Sequence, residues 1–146
     1  MNMKRLLIVV FLLLSMPVQA GTVGFQSPER VVRKAEVIGE FEIVSVQTRQ
    51  LQCSTRAEYV LSPIGTSFKG HFKKNAPLSF YTSSYIQGAQ NCPMLILMLP
   101  PTATELQKGK KLIATLIFDQ KNKTYTVTGT FDLDKKSEIQ RWLHSR

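Results

Sequence analysis

Two cysteines, two histidines, a pair of glutamates and one basic segment are the residues whose types and spacing could do chemistry. Cys53 and Cys92 are the only cysteines. A redox pair would want Cys-x-x-Cys, and no neighbouring feature marks either thiol as activated. In an oxidising compartment two such cysteines pair, so a structural Cys53–Cys92 disulfide closing about 40 residues is expected. His71 and His144 form no helical pair, and His-Glu-x-x-His is absent, so no metal site is expected. Glu40 and Glu42 stand two apart in a strand pattern and share a face. In a cleft such a pair could do acid–base work; on an open strand it is simply solvated. There is no Gly-x-Ser-x-Gly elbow, phosphate loop or dinucleotide fingerprint. The expectation is a protein without catalytic residues and without a cofactor.

The basic segment is Phe68-Lys69-Gly70-His71-Phe72-Lys73-Lys74, which interleaves aromatic rings with cations. The whole chain carries 19 Lys+Arg against 10 Asp+Glu, a formal charge of +9. Lys69, His71, Lys73 and Lys74 are therefore candidates for holding an anionic partner, such as a glycan or lipid of a cell envelope. Stacking plus charge would also suit single-stranded nucleic acid, which an exported protein has little occasion to meet. The competing reading is a basic solvated surface with Phe68 and Phe72 turned into the core.

Export follows from the first twenty residues. Lys4-Arg5 precede an apolar run, Leu6–Leu14, then Pro17 and a small residue, Ala20. This is the pattern of a secretory signal peptide with cleavage after Ala20. As a helix, nine apolar residues rise only about 14 Å, too short for a hydrocarbon core of about 30 Å. The expected mature chain is one domain, Gly21–Arg146, secreted or periplasmic, with no transmembrane segment after cleavage. Met94–Leu99 is apolar but bounded by Pro93 and Pro100, and reads as a buried strand or core segment.

The elements that must position these residues are mostly strands. Ser27-Pro28-Glu29 starts a short helix through about Ala35, with Val31, Val32 and Ala35 inward. Gly21–Gln26 before it shows no period. Over Val37–Val46 the apolar parity flips between Ile43 and Val44, which calls for a β-bulge or a strand buried on both faces in turn. Cys53–Leu61 alternates, with Cys53, Ala57, Tyr59 and Leu61 on one face and Arg56 and Glu58 on the other. Leu78–Ser83 is a third strand. Leu112–Phe118, apolar on both faces except Thr115, pairs as a hairpin with Thr124–Phe131. There Tyr125, Val127 and Phe131 are expected on one face. A final helix begins at Asp132 or Asp134 and ends near His144, with Ile139, Trp142 and Leu143 inward. Five short antiparallel strands with a helix at each end predict a mostly β fold, an OB-like five-stranded barrel.

The order of these signals resembles bacterial secreted members of the netrin-like, or tissue-inhibitor-of-metalloproteinase-like, superfamily. The residues that carry it run from Val31 to about Leu133. They are Ala35-Glu36-Val37-Ile38-Gly39-Glu40-Phe41 opening the first strand, Cys53 heading the second, Phe68-Lys69-Gly70 after it, Cys92 after the third, and Leu106-Gln107-Lys108-Gly109-Lys110-Lys111-Leu112 entering the fourth. The resemblance implies an OB-like barrel that binds and seldom catalyses. It stops at the mechanism, because metalloproteinase inhibitors of that superfamily chelate zinc through an N-terminal Cys, and Gly21-Thr22-Val23 has none. The functional expectation is an exported binding module that recognises a protein partner through barrel-rim loops, as an inhibitor or immunity-type protein does. The alternatives are a binder of anionic envelope polymers or lipid, and a small hydrolase that uses Glu40 or His71.

Overall fold

The computed structural model describes residues 23–73, 76–86, 92 and 97–145. The signal-peptide residues, Lys74 and the first part of the Met94–Leu99 run lie outside them. The elements are β1 (Val23–Phe25), α1 (Pro28–Lys34), β2 (Val37–Gln50), β3 (Ser54–Pro63), β4 (Ser79–Tyr85), β5 (Leu97–Leu99), β6 (Lys111–Asp119), β7 (Thr124–Phe131) and α2 (Lys136–His144). A single 3₁₀ turn, Leu133–Lys135, leads into α2. Five strands form one antiparallel sheet in the order β4-β3-β2-β6-β7. The sheet curls until β4 and β7 face each other across a groove of about 410 Å³, so the barrel is nearly closed. One end of that groove is covered, because Thr130 N–H donates to the Pro101 carbonyl (2.9 Å). The expected OB-like barrel with a short helix before it and a helix after it is the observed architecture.

Alternation along the strands separates two cores. Inside the barrel pack Val37, Phe41 and Ile43 of β2, Tyr59 and Leu61 of β3, Leu78, Phe80, the even-numbered apolar residues of β6, and Tyr125. On the outer side of β2, β6 and β7, Ile38, Ile113 and Phe131 meet Val32 and Ala35 of the α1 end and Ile139 of α2. Strand β6 is therefore buried on both faces, which explains its continuous apolar run. Each fully buried Ile, Leu or Phe contributes about 1.5–3 kcal/mol relative to exposure. Glu29 and Arg33 pair along α1 at 2.8 Å, and the Arg33 guanidinium also donates to Ser145 Oγ, which ties the two helices together.

Two β-bulges set the register. In β2 the pairing with β3 shifts between Ile43 and Ser45, so Val44 is the extra residue at the predicted parity flip. In β7 the pairing with β6 shifts between Thr115 and Leu116, leaving Thr128 extra. That second bulge corrects one expectation. Tyr125 and Val127 face the barrel interior, but Phe131 is turned to the helix side. Thr115, the polar exception in β6, satisfies the bulge: its hydroxyl bonds Thr128 Oγ1 (2.9 Å) and donates to the Gly129 carbonyl (3.2 Å). The N-terminal segment is the other departure. Val23–Phe25, without sequence period, pairs in parallel with Leu97–Leu99, and Leu99 remains exposed instead of entering a core.

Asp132 does not cap the final helix with its side chain. Its carboxylate accepts from Thr104 N–H and Oγ1 and from Lys110 Nζ (2.8 Å), so it clamps the 100–110 segment onto the end of β7. The Lys110 hydrogen bond leads, with the Thr104 bonds, in holding the Asp132 pKa below the usual aspartate value. A depressed folded pKa means stability that is present above the unfolded value of about 4 and lost as pH falls through the folded one. Asp132→Asn should cost about 1 kcal/mol in urea unfolding at about pH 6, for a partly exposed charge-assisted clamp. The gap from the natural chain should narrow toward about pH 2, and a gap constant with pH would contradict the assignment.

Candidate functional site

The basic segment follows β3 and lies across one end of the barrel. Its turn needs Gly70, whose φ is +63° and where a Cβ would stand 2.2 Å from the Glu36 carbonyl oxygen. The tight turn aims the two aromatic rings inward. Phe72 packs edge-on against Phe41 at 5.7 Å and stacks on Tyr125 at 4.8 Å; Phe68 joins the helix-side core. The rings of the segment are thus spent on packing.

Both described lysines of the segment have partners within the chain. Lys69 Nζ donates to the Arg33 carbonyl at the end of α1 (3.1 Å), a carbonyl the helix leaves unbonded. The Lys73 ammonium sits 3.9 Å from the centroid of the Phe118 ring, and its backbone N–H donates to Tyr125 Oη (2.9 Å). His71 is exposed, and Lys74 lies outside the described residues. Lys69 and His71 also line a groove of about 670 Å³, but Glu40 stands in the same wall. The Glu40 carboxylate is ion-paired to Lys136 at 2.9 Å. Glu42 lies opposite Lys111 in the strand register. His144 Nδ1 is 2.6 Å from the Gln140 carbonyl in the last turn of α2.

A second surface has no contiguous signal in the sequence. Past the bulge, β2 leaves β6, whose pairing ends at Glu42–Lys111, and continues beside β3 as far as Gln50–Thr55. With β4 on its other side, β3 becomes the middle strand of a three-stranded arm. Cys53 lies in the tight connection at the arm's tip and is bonded to Cys92, with a Cα–Cα distance of 5.6 Å. The predicted pairing is present. The arm's outer face follows from register: Gln47, Glu58 and Tyr81 form one cross-strand row, and Arg49, Arg56 and Ser83 form the next. The Arg56 guanidinium lies 3.6 Å from the Tyr81 ring centroid, and Tyr81 Oη donates to Glu58 Oε1 (3.1 Å). Gln47, Arg49, Leu51, Arg56, Glu58 and Tyr81 line a cleft of about 400 Å³. Val44, Val46, Leu51 and Tyr81 remain between 37% and 49% exposed, so the arm holds much of the exposed apolar surface.

Among the described residues no group of three His, Cys, Asp or Glu side chains could hold a metal ion, and no helix is long and apolar enough to cross a membrane. No protein-family model, curated protein or solved structure matches the chain.

The disulfide restrains the arm tip and closes a loop of sequence separation 39. In the chain-entropy account this contributes about 4 kcal/mol. The native protein should yield no alkylatable thiol. The Cys53→Ala/Cys92→Ala variant should lose about 4 kcal/mol in urea unfolding. Two reactive thiols, or an unchanged unfolding midpoint, would contradict the structural role.

Proposed function

We propose that this chain is an exported binding module without catalytic function, and that it recognises a protein partner through the end of the barrel from which the β2–β3 arm projects. The observation that carries this reading is the arm itself. Its outer face combines the exposed Leu51 and Tyr81 with Arg49 and Arg56 on a strand framework whose tip is covalently tied. Specific interfaces are rich in aromatic residues and arginine, and a rigid surface loses less entropy on binding than a flexible loop does. Export rests on the leader pattern of Met1–Ala20, and a disulfide accords with an oxidising compartment. An inhibitor or immunity-type protein is one form of such a module, in keeping with the netrin-like resemblance.

The alternative is binding of anionic glycan or lipid through Lys69, His71, Lys73 and Lys74. It is less well supported, because Lys69 and Lys73 already have partners within the chain. Capture from host envelope extract on the immobilised mature chain separates the two. A protein retained through a rising salt step, and lost with Leu51→Asp/Tyr81→Ser but kept with Lys69→Gln/Lys73→Gln, is the expected result. Lipid, glycan or nucleic acid leaving in the early salt fractions, with the opposite dependence on the variants, would overturn the reading.

A further inference from the structure

We propose that the outer face of the arm is a carboxylate-binding site for an acidic segment of the partner protein, with Arg49 and Arg56 as the anion-binding groups and Tyr81 and Leu51 as the apolar floor. This rests on the preceding reading that the arm engages a protein, and it names the chemistry of that contact.

The first observation is a like-charge pair. Arg49 and Arg56 are directly opposite in the β2–β3 register. Opposed residues in an antiparallel pair hold their Cβ atoms about 5 Å apart, and like charges there destabilise the sheet. Neither arginine belongs to any of the four ion pairs among the described residues. Two exposed cations are thus held side by side, and the nearest carboxylate of their face, Glu58, bonds the Tyr81 hydroxyl and is ion-paired to neither. A bound carboxylate would relieve that repulsion.

The second observation is orientation. The Arg56 guanidinium lies over the Tyr81 ring, and the ring is fixed by its hydroxyl bond to Glu58. Stacking occupies a face of the guanidinium and leaves the N–H donors on its edge for in-plane, bidentate contact with a carboxylate. Leu51, 42% exposed at the tip, lies beside the same cleft and suits an apolar neighbour of the incoming acid.

Glu58 decides between a peptide and a polyanion. It sits one cross-strand row from the arginines, about 7 Å along the strand. A nucleic acid or sulfated glycan crossing the face would bring an anion against Glu58 as well as against the arginine pair. A peptide can offer a carboxylate to the arginines and an amide or hydroxyl to Glu58.

The test uses the mature, disulfide-bonded chain and two capped, dye-labelled decapeptides. One carries two glutamates among Leu, Ser and Gly; its twin has glutamine at both places. Fluorescence anisotropy should show the acidic peptide binding about tenfold or more tightly than its twin. Arg49→Gln and Arg56→Gln should each weaken binding of the acidic peptide by about tenfold, while Lys73→Gln leaves it unchanged. The melting temperature of free Arg49→Gln should equal or exceed that of the natural chain, because the substitution removes repulsion. Equal binding of the two peptides, an equal loss with Lys73→Gln, or tighter binding of an oligo-dT strand through the same arginines would each overturn the assignment. A protein captured undiminished by the Arg49→Gln/Arg56→Gln chain would defeat the carboxylate site while leaving the partner-binding reading intact. Capture of no protein by the natural chain would defeat that reading itself.

Discussion

Val44 is one residue more than the β2–β3 ladder can pair, and the path of the chain on both sides of it turns on that excess. Before it, Val37, Phe41 and Ile43 point into the barrel and β2 is bonded on both edges, to β3 and to β6. After it, β2 keeps only β3. A bulge bends its strand and increases the local twist, so it provides a place for one long strand to stop lining a barrel and begin an arm. It also restores parity. Val46 comes opposite the inward-facing Tyr59, while Gln47 and Arg49 come opposite the outward-facing Glu58 and Arg56. With regular alternation from Ile43 onward, the arginine row would not form.

The remaining structure holds that arrangement in place. Strand β6, buried on both faces, fixes the barrel half of β2. Phe72 and Tyr125 close one end of the barrel, and the disulfide anchors the opposite extremity at Cys53. The arm can therefore carry features that do not favour folding: exposed apolar side chains and two arginines face to face. Such local conflicts are tolerated where the surrounding structure is over-determined, and they gather at functional surfaces. The lysines of the 68–73 turn show the contrasting case, with Lys69 satisfying a helix carbonyl and Lys73 lying on an aromatic ring.

The barrel was legible in the sequence because alternation reports burial directly. The bulge in β2 could be placed between Ile43 and Val44 from the change in parity alone. The bulge in β7 could not, because Thr128, Gly129 and Thr130 carry no apolar signal, and plain alternation therefore puts Phe131 on the barrel side instead of the helix side. Pairing of Val23–Phe25 with Leu97–Leu99 was also hidden, since three-residue strands remote in sequence show no period. The candidate site was the least legible part. Alternation puts Arg56 and Glu58 on one face of their strand, but their neighbours Arg49 and Tyr81 come from two other strands. Only the register brings the four together. The rings and cations of segment 68–74 are contiguous in sequence, yet a single tight turn at Gly70 divides contiguous rings and cations between core and surface.

The most direct measurement is an NMR titration that follows the arginine side-chain Nε–H resonances of the isotopically labelled mature chain as the acidic decapeptide is added. The account predicts that Arg49 and Arg56 shift together and saturate together, while Arg33, already paired with Glu29, and Arg141 on α2 stay in place. Unmoved Arg49 and Arg56 signals, with perturbation confined to the Lys69–Lys73 end of the barrel, would contradict it.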